Sequence, residues 1–93
     1  MPTTSYPSPI EIDSTCSIEG RFSIYYLEFH PANANDDLLV RDSLDNLLWM
    51  VRAPIGSDNS IAYSILTKYI NIEQVNGIVV EVLDGGTLYV YLQ

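Results

Sequence analysis

Carboxylates are the most numerous side chains in this sequence that could do chemistry, and four of them cluster in one short stretch. The segment NDDLLVRDSLDN contains Asp36, Asp37, Asp42 and Asp45. An EF-hand calcium loop places oxygen ligands at alternate positions, with a glycine at the sixth and a glutamate at the twelfth. Here an apolar run separates the carboxylates, and neither the glycine nor the glutamate is in place. We therefore predict no metal site of this type, and calcium binding by Asp36 and Asp37 stays an open alternative.

The other candidates for chemistry are the single cysteine and the single histidine, Cys16 and His30. One residue of each type is too few for a zinc site built from Cys and His. A Cys-His or Ser-His-Asp catalytic site needs a base that a third group orients, and nothing in the local sequence organises such a set. We interpret Cys16 as a small buried hydrophobe and His30 as a structural or surface residue. The prediction is a protein that is not an enzyme and has no cofactor.

The acidic cluster fits the turn of a β-hairpin better than it fits a site. In LLVRDSLDNLLWMVR, residues 38–52, two apolar runs flank Asp, Ser and Asn. These three residue types hydrogen-bond to their own backbone in turns. We predict strands at 38–41 and 47–52. The residues that we expect in the packed part of the hairpin are Leu39, Leu48, Met50 and one face of Trp49.

The charge balance of the chain excludes several kinds of partner. Twelve acidic residues stand against four basic ones, which gives a net charge of −8. So few basic side chains cannot form the cationic track that nucleic-acid phosphates require, and an anionic membrane surface would repel the chain. We predict no nucleic-acid partner and no membrane partner. Two of the basic residues, Arg41 and Arg52, are expected to neutralise Asp42 or Asp45 across the hairpin.

Short alternating segments separated by turn residues predict an all-β fold. The predicted strands are 10–12, 16–29, 38–41, 47–52, 61–73 (as one or two strands), 77–83 and 87–93. Seven or eight short strands with frequent turns are typical of an antiparallel β-sandwich or barrel. A helical turn near 61–66 is an alternative for part of the ambiguous fifth segment. Asp84-Gly85-Gly86 predicts a hairpin turn between the last two strands, because glycine adopts positive φ without steric cost.

The longest predicted strand, 16–29, is apolar on both faces, which is typical of a central strand. Strict alternation places Phe22, Ile24 and Tyr26 on one face and Tyr25, Leu27 and Phe29 on the other. Gly20 predicts a bulge or a break. The chain has seven tyrosines, and we interpret those in strands (Tyr25, Tyr26, Tyr89 and Tyr91) as core or interface residues. A platform for carbohydrate or nucleobases is the alternative.

The N-terminal residues 1–9, MPTTSYPSP, hold three of the five prolines. Proline fixes φ and lacks a backbone donor, so we predict an extended arm here, with Tyr6 as its anchor. Residues 10–93 form the single β-sandwich domain. The arm has neither the basic nor the apolar region of a signal peptide, and no apolar run approaches the roughly 20 residues of a membrane span. We therefore expect a soluble protein made in a reducing compartment, the cytoplasm.

The stretch FSIYYLEFHPANANDDLLVRDSLDNLLWMVRAP resembles a pattern of small virion proteins of tailed bacteriophages. In that pattern an apolar strand, a short loop, a strand running into Arg-Asp and a turn precede a return strand. The final GIVVEVLDGGTLYVYL resembles the closing hairpin of these proteins. Together the two stretches cover most of residues 22–92.

The resemblance implies a structural protein, a capsid decoration (cement) protein on the outer surface of the virion. Such a protein would bind across subunits of the major capsid protein, as a homotrimer, with its arm strapped over the shell. The candidate contact residues are Pro2, Tyr6, Pro7, Pro9, Tyr25 and Trp49. The charge of −8 supports an alternative, a small acidic inhibitor of a host nucleic-acid-binding enzyme, and the tyrosines support a third, a carbohydrate-binding module.

Overall fold

The computed structural model describes residues 8–55 and 65–93. About 70% of these residues lie in strands of one antiparallel sheet, so the all-β prediction is confirmed. The described part of the chain has no helix, and therefore none long and apolar enough to cross a membrane. Its strands are β1 (Ile10–Ile12), β2 (Cys16–His30), β3 (Asp37–Arg41), β4 (Leu47–Arg52), β5 (Leu66–Leu83) and β6 (Thr87–Leu92). Pro2, Tyr6, Pro7 and residues 61–64 lie outside the described residues.

The six strands follow the order β1-β6-β2-β5-β3-β4 across the sheet. The two long strands, β2 and β5, form its centre, and every neighbouring pair is antiparallel. Among the described residues, β1 and β4 are the edges. The sheet thus has one short edge strand of three residues and one of six.

The prediction of seven or eight strands is wrong for the described residues, because two predicted strands are one. Residues 66–73 and 77–83 belong to the continuous strand β5. Asn71, Gln74 and Gly77 adopt positive φ within it, and the ladder with β2 shifts register three times. Such local irregularities bend a strand without ending its pairing. The polar residues between the two apolar runs therefore mark bends in β5 and not a loop.

A bulge in β2 also overturns the predicted faces of that strand. Phe22 and Ile24 are buried, but so are Leu27 and Phe29, which strict alternation places on the opposite face. The register with both neighbouring strands shifts between Ile24 and Tyr26. One extra residue reverses the side on which all later side chains point. The prediction of a bulge at Gly20 is confirmed, since the register with β5 also shifts between Ile18 and Arg21.

The Asp84-Gly85-Gly86 turn does not form the predicted hairpin. It connects β5 to β6, but β2 lies between these strands in the sheet. Gly86 has a φ of +89°, and a Cβ there would collide with the carbonyl oxygen of His30. The glycines are needed because the connection passes close to the backbone that leaves β2. One of the two stretches that carry the resemblance to virion proteins therefore has a different topology from the one predicted.

The β3–β4 hairpin is confirmed, with Asp42 organising its turn. The Asp42 carboxylate accepts hydrogen bonds from the backbone N–H groups of Leu44 (2.9 Å) and Asn46 (2.8 Å) and from the Asn46 side-chain amide (3.0 Å). Of the residues predicted in the packed part, Leu48 and Trp49 pack against the core, but Met50 does not. Leu38 and Val40 are fully buried, whereas the exposed fraction of Met50 is 67%.

The core is one cluster of buried apolar side chains, drawn from β1, β2, β3, β5 and β6. Its members are Ile10, Ile12, Phe22, Ile24, Leu27, Phe29, Leu38, Val40, Val75, Ile78, Val80, Leu88 and Val90. A flat sheet leaves both faces open to water, and no helix of the described residues covers this one. Strands that are not neighbours in the sheet order, such as β1 and β3, contribute side chains to the same core cluster.

Candidate interaction site

The residues that suggested catalysis have structural partners. His30 Nε2 lies 2.6 Å from Glu28 Oε1, and the His30 ring packs edge-on against Tyr89, with ring centroids 4.8 Å apart. Partial burial, with a contribution from Asp13, raises the pKa of the Cys16 thiol. A raised pKa lowers the thiolate fraction, and the thiolate is the nucleophile. Cys16 is therefore a weak nucleophile at neutral pH.

The clustered carboxylates accept hydrogen bonds from backbone N–H groups and from an arginine side chain. Asp36 Oδ2 accepts hydrogen bonds from the N–H groups of Ala32 (3.0 Å) and Asn33 (2.7 Å), which closes the loop before β3. Both oxygens of Asp37 accept from the Arg52 guanidinium, at 2.7 and 3.1 Å. In the described part of the chain, no group of three His, Cys, Asp or Glu side chains is placed to hold a metal ion. The geometry gives no support to calcium binding at Asp36 and Asp37.

The arginines of the hairpin differ in their partners from the prediction. Arg52 pairs with Asp37 and not with Asp42 or Asp45. Arg41 Nε lies 3.3 Å from Glu81 of the neighbouring strand β5 and 3.6 Å from Asp45. The Arg41–Asp45 contact is the predicted neutralisation across the turn, and it is confirmed. Asp42 is satisfied without an arginine, because the turn backbone and Asn46 supply its hydrogen bonds.

The outer face of the sheet carries a group of four tyrosines, which we call the tyrosine ridge: Tyr25, Tyr26, Tyr69 and Tyr91. Register brings three of them into one row, because Tyr26 of β2 pairs with Tyr91 of β6 on one side and with Tyr69 of β5 on the other. The Tyr26 and Tyr91 rings stack with centroids 4.3 Å apart. Tyr25 contacts Tyr26 and Tyr69 edge-on, at 5.1 and 5.8 Å between centroids. The bulge in β2 makes this possible, since it turns Tyr26 outward while Leu27 points into the core.

The ridge combines apolar area with phenol groups that water can reach. Tyr69 and Tyr25 are 66% and 47% exposed. Burial raises the pKa of the Tyr26 phenol, with further contributions from Tyr91, Glu28 and Tyr69. Tyrosine is enriched in protein interfaces, because one side chain offers both apolar contact and a hydrogen bond. A sugar ring would need an open aromatic face, and Tyr26 and Tyr91 turn faces toward each other.

The second exposed apolar surface lies on the hairpin at the other end of the sheet. Leu39 pairs with Met50 of β4 and with Val82 of β5 on the outer face. These residues, with Leu38, Val51 and the Asp37–Arg52 ion pair, line an open groove of about 460 Å³. The ion pair is the charged part of a lining that is otherwise apolar. Apolar surface accompanied by charged residues is typical of surfaces that contact other proteins.

The six predicted contact residues separate into three groups. Pro2, Tyr6 and Pro7 lie outside the described residues. Tyr25 belongs to the tyrosine ridge, and Pro9 precedes β1 directly, at a half-buried position. Trp49 lies opposite the buried Val40 and packs against the core.

Sequence reasoning missed the remaining members of both surfaces. Tyr26 and Tyr91 were assigned to strands but not to a common row, and Tyr69 fell in the ambiguous segment. Met50 was placed in the packed part of the hairpin. Two signals were available in the sequence. One was the alternation of side chains along β6, and the other was the exposure expected at the end of a hairpin. Neither is sufficient without the register that aligns three strands.

Comparison with protein-family models, with curated proteins and with solved structures returned no match for this chain.

Proposed function

We propose that this protein acts by adhesion, as a non-enzymatic structural protein of a virion. In its most specific form the proposal is a capsid decoration protein that binds across subunits of the major capsid protein on the outer shell. The resemblance of residues 22–54 to small virion proteins of tailed bacteriophages supports this assignment. The finer architecture belongs to the same proposal: the sheet is a β-sandwich or barrel, and residues 1–9 form an extended arm.

The observation that carries the proposal is the position of the arm's root beside the tyrosine ridge. Ser8 Oγ accepts a hydrogen bond from the backbone N–H of Leu92, at 3.1 Å. The β1–β6 register pairs Ile10 with Val90, so its continuation places Pro9 opposite Tyr91. An arm that leaves the domain at Ser8 starts at the end of the ridge. One partner surface can then contact the ridge and the arm together.

In this proposal the tyrosine ridge supplies binding affinity. Aromatic side chains bury large areas on binding and dominate the energetics of many interfaces. Each buried apolar Å² contributes roughly 25 cal/mol before the costs of association. A flexible arm that binds next to such a patch adds to the affinity by raising the effective local concentration of the second contact. The many equivalent positions on a shell would multiply this effect.

Binding to empty capsids, measured by co-sedimentation with purified shells, tests the proposal. We expect Tyr69→Ala and Tyr25→Ala each to weaken binding by about tenfold, which corresponds to roughly 1.4 kcal/mol. Leu44→Ala is the matched control, because Leu44 is also exposed (65%) but lies in the β3–β4 turn. Deletion of residues 1–7 keeps the Ser8 hydrogen bond and should leave the fold intact while it abolishes attachment.

Failure of the wild-type protein to bind shells would contradict the assignment to the capsid. Equal binding by the ridge variants and the control would contradict the role of the ridge. Undiminished binding by the deletion variant would contradict the role of the arm. Circular dichroism and thermal melting of each variant show that losses of binding do not come from unfolding.

A further inference from the structure

The edge strand β4 has few of the features that usually protect an edge. Its sequence, LLWMVR, contains five consecutive apolar residues, no proline and no lysine. Its one charged side chain, Arg52, stands at the end of the strand. Natural edge strands are commonly protected by prolines, by charges in the strand or by very short length. Within residues 8–55 and 65–93, only β3 pairs with β4.

The free backbone groups of this edge are centred on Met50. The backbone N–H of Ala53 donates to the carbonyl of Asp36 at 2.9 Å, which marks a hydrogen-bonded pair next to the hairpin ladder. Because hydrogen-bonded and non-hydrogen-bonded pairs alternate in antiparallel strands, Met50 belongs to a non-hydrogen-bonded pair with Leu39. Its N–H and C=O therefore point away from β3, on the side where no strand of residues 8–55 and 65–93 pairs with β4. Its side chain is 67% exposed.

The opposite edge of the sheet is protected. β1 has only three residues, Ile10–Ile12, with Glu11 at its centre and Pro9 directly before it. Among the strands of residues 8–55 and 65–93, the one that best matches β4 of the first copy is therefore β4 of the second copy. When two copies pair through the same surface, each copy uses that surface up. The assembly therefore stops at two copies, because no adhesive edge is left for a third.

The charges around β4 allow two acidic chains to approach there. The chain carries a net charge of −8, which opposes self-association over most of its surface. Near β4, however, Arg52 is paired with Asp37 and Arg41 lies between Asp45 and Glu81. Two of the four basic residues of the chain thus flank this hairpin. These ion pairs offset part of the negative charge around β4, which weakens the repulsion that a second copy meets there.

We propose that two copies of this chain pair through β4, antiparallel and about a two-fold axis at Met50. In this register Met50 meets Met50 of the second copy, and Arg52 meets Leu48, so like charges are not opposed. The groove over Leu39, Met50 and Val82 lies beside the axis and receives apolar side chains of the other copy. This inference does not depend on the capsid proposal. It predicts a dimer where the resemblance to virion proteins implies a trimer.

Analytical ultracentrifugation over a wide range of protein concentration tests the pairing. The expected mass is twice the 10.4 kDa of the chain. Met50→Lys and Met50→Glu should each be monomers, because the two-fold axis opposes identical charges, and an equimolar mixture of the two variants should recover the dimer. Ile72→Lys is the control, since Ile72 is exposed (47%) on a different part of the sheet, and this variant should stay dimeric.

Several outcomes would overturn the pairing. They are a wild-type monomer at all concentrations, a trimer, a dimer that survives Met50→Lys, and a mixture of charge variants that stays monomeric. A cross-link gives a second readout that needs no charge. In a Cys16→Ser background, Met50→Cys should form a disulfide between two copies on mild oxidation, because directly opposed residues in an antiparallel pair have suitable Cα separations. Ile72→Cys in the same background should not, and equal cross-linking of both would also overturn the pairing.

Discussion

The rings of Tyr26 and Tyr91 stack across β2 and β6, with centroids 4.3 Å apart and planes 14° from parallel. The pair stands on the outer face because a bulge between Ile24 and Tyr26 reverses the side on which β2 presents its residues. The same bulge sends Leu27 into the core, where it is fully buried. One backbone irregularity therefore produces both the exposed tyrosine ridge and the continuous core beneath it.

The bulge predicts a large loss of stability for substitution of Leu27 in β2 and a small loss for substitution of Tyr25 in the same strand. Leu27→Ala should lower the free energy of unfolding by about 2–5 kcal/mol, because it removes a fully buried side chain and leaves a cavity. Tyr25→Ala should cost less than about 1.5 kcal/mol, since it loses only exposed aromatic contacts. Urea unfolding of both variants measures the difference. Equal losses would mean that Tyr25 and Leu27 share a face, as strict alternation requires.

The surroundings of Tyr26 in the stacked pair predict that its phenol loses its proton at a higher pH than a free phenol. Burial, together with Tyr91, Glu28 and Tyr69, raises the pKa of Tyr26 above its ordinary value. Titration followed by the ultraviolet absorbance of tyrosinate should show a phase at higher pH than that of a free phenol, and Tyr26→Phe should remove it. The raised pKa also means that stability falls as the pH rises above the pKa of an unfolded tyrosine. A late phase that persists in Tyr26→Phe would assign it to another residue.

The hairpin turn predicts a loss of stability in acid. Hydrogen bonds from the Asn46 side chain and from the backbone N–H groups of Asn46 and Leu44 lower the pKa of Asp42. A carboxyl group with a lowered folded-state pKa stabilises the fold above its unfolded pKa, and this contribution is lost as the pH falls through the folded value. Asp42→Asn should therefore lower the urea midpoint at neutral pH and reduce the difference between neutral pH and about pH 3.

Asp45→Asn is the control for this turn. The Asp45 side chain is largely exposed and makes one long ion pair with Arg41, at 3.6 Å. Exposed pairs of this kind contribute little, and asparagine tolerates the positive φ of residue 45. The variant should match the wild type at both pH values. A larger effect for Asp45→Asn than for Asp42→Asn would reverse the assigned roles of the two carboxylates.

The connection between β5 and β6 predicts a difference between two glycines. Gly86→Ala should destabilise the fold by more than about 1 kcal/mol, because φ is positive there and the new Cβ would collide with the His30 carbonyl and the Pro31 backbone. Gly20→Ala shares the positive φ, but its Cβ would meet only the Phe22 ring, at an ordinary 3.6 Å. The difference between the two losses of unfolding free energy measures the cost of the steric clash at residue 86, separately from the cost of positive φ. Equal losses would contradict the close passage of residue 86 by β2.

Local patterns in the sequence were sufficient for five of the six described strands and for one turn. Alternation and β-branched residues predicted β1, β2, β3, β4 and β6 to within one residue of their observed starts, because a strand needs only a suitable run of side chains. The Asp42 turn was equally accessible, since its carboxylate bonds to residues two and four positions later. The charge and the single cysteine and histidine are properties of composition, and they do not depend on the fold.

Tertiary structure alone decided which residues meet and which face water. A bulge in β2 adds one residue to the ladder and leaves no unambiguous mark among apolar neighbours, so alternation assigned Leu27 and Tyr26 to the wrong sides. Asp84-Gly85-Gly86 has the composition of a hairpin turn, yet β2 pairs with both β5 and β6 and so separates them in the sheet. Register and strand order are set by the packing of distant segments into one core. The tyrosine ridge and the β4 edge follow from that packing, and so they emerge only once the sheet is assembled.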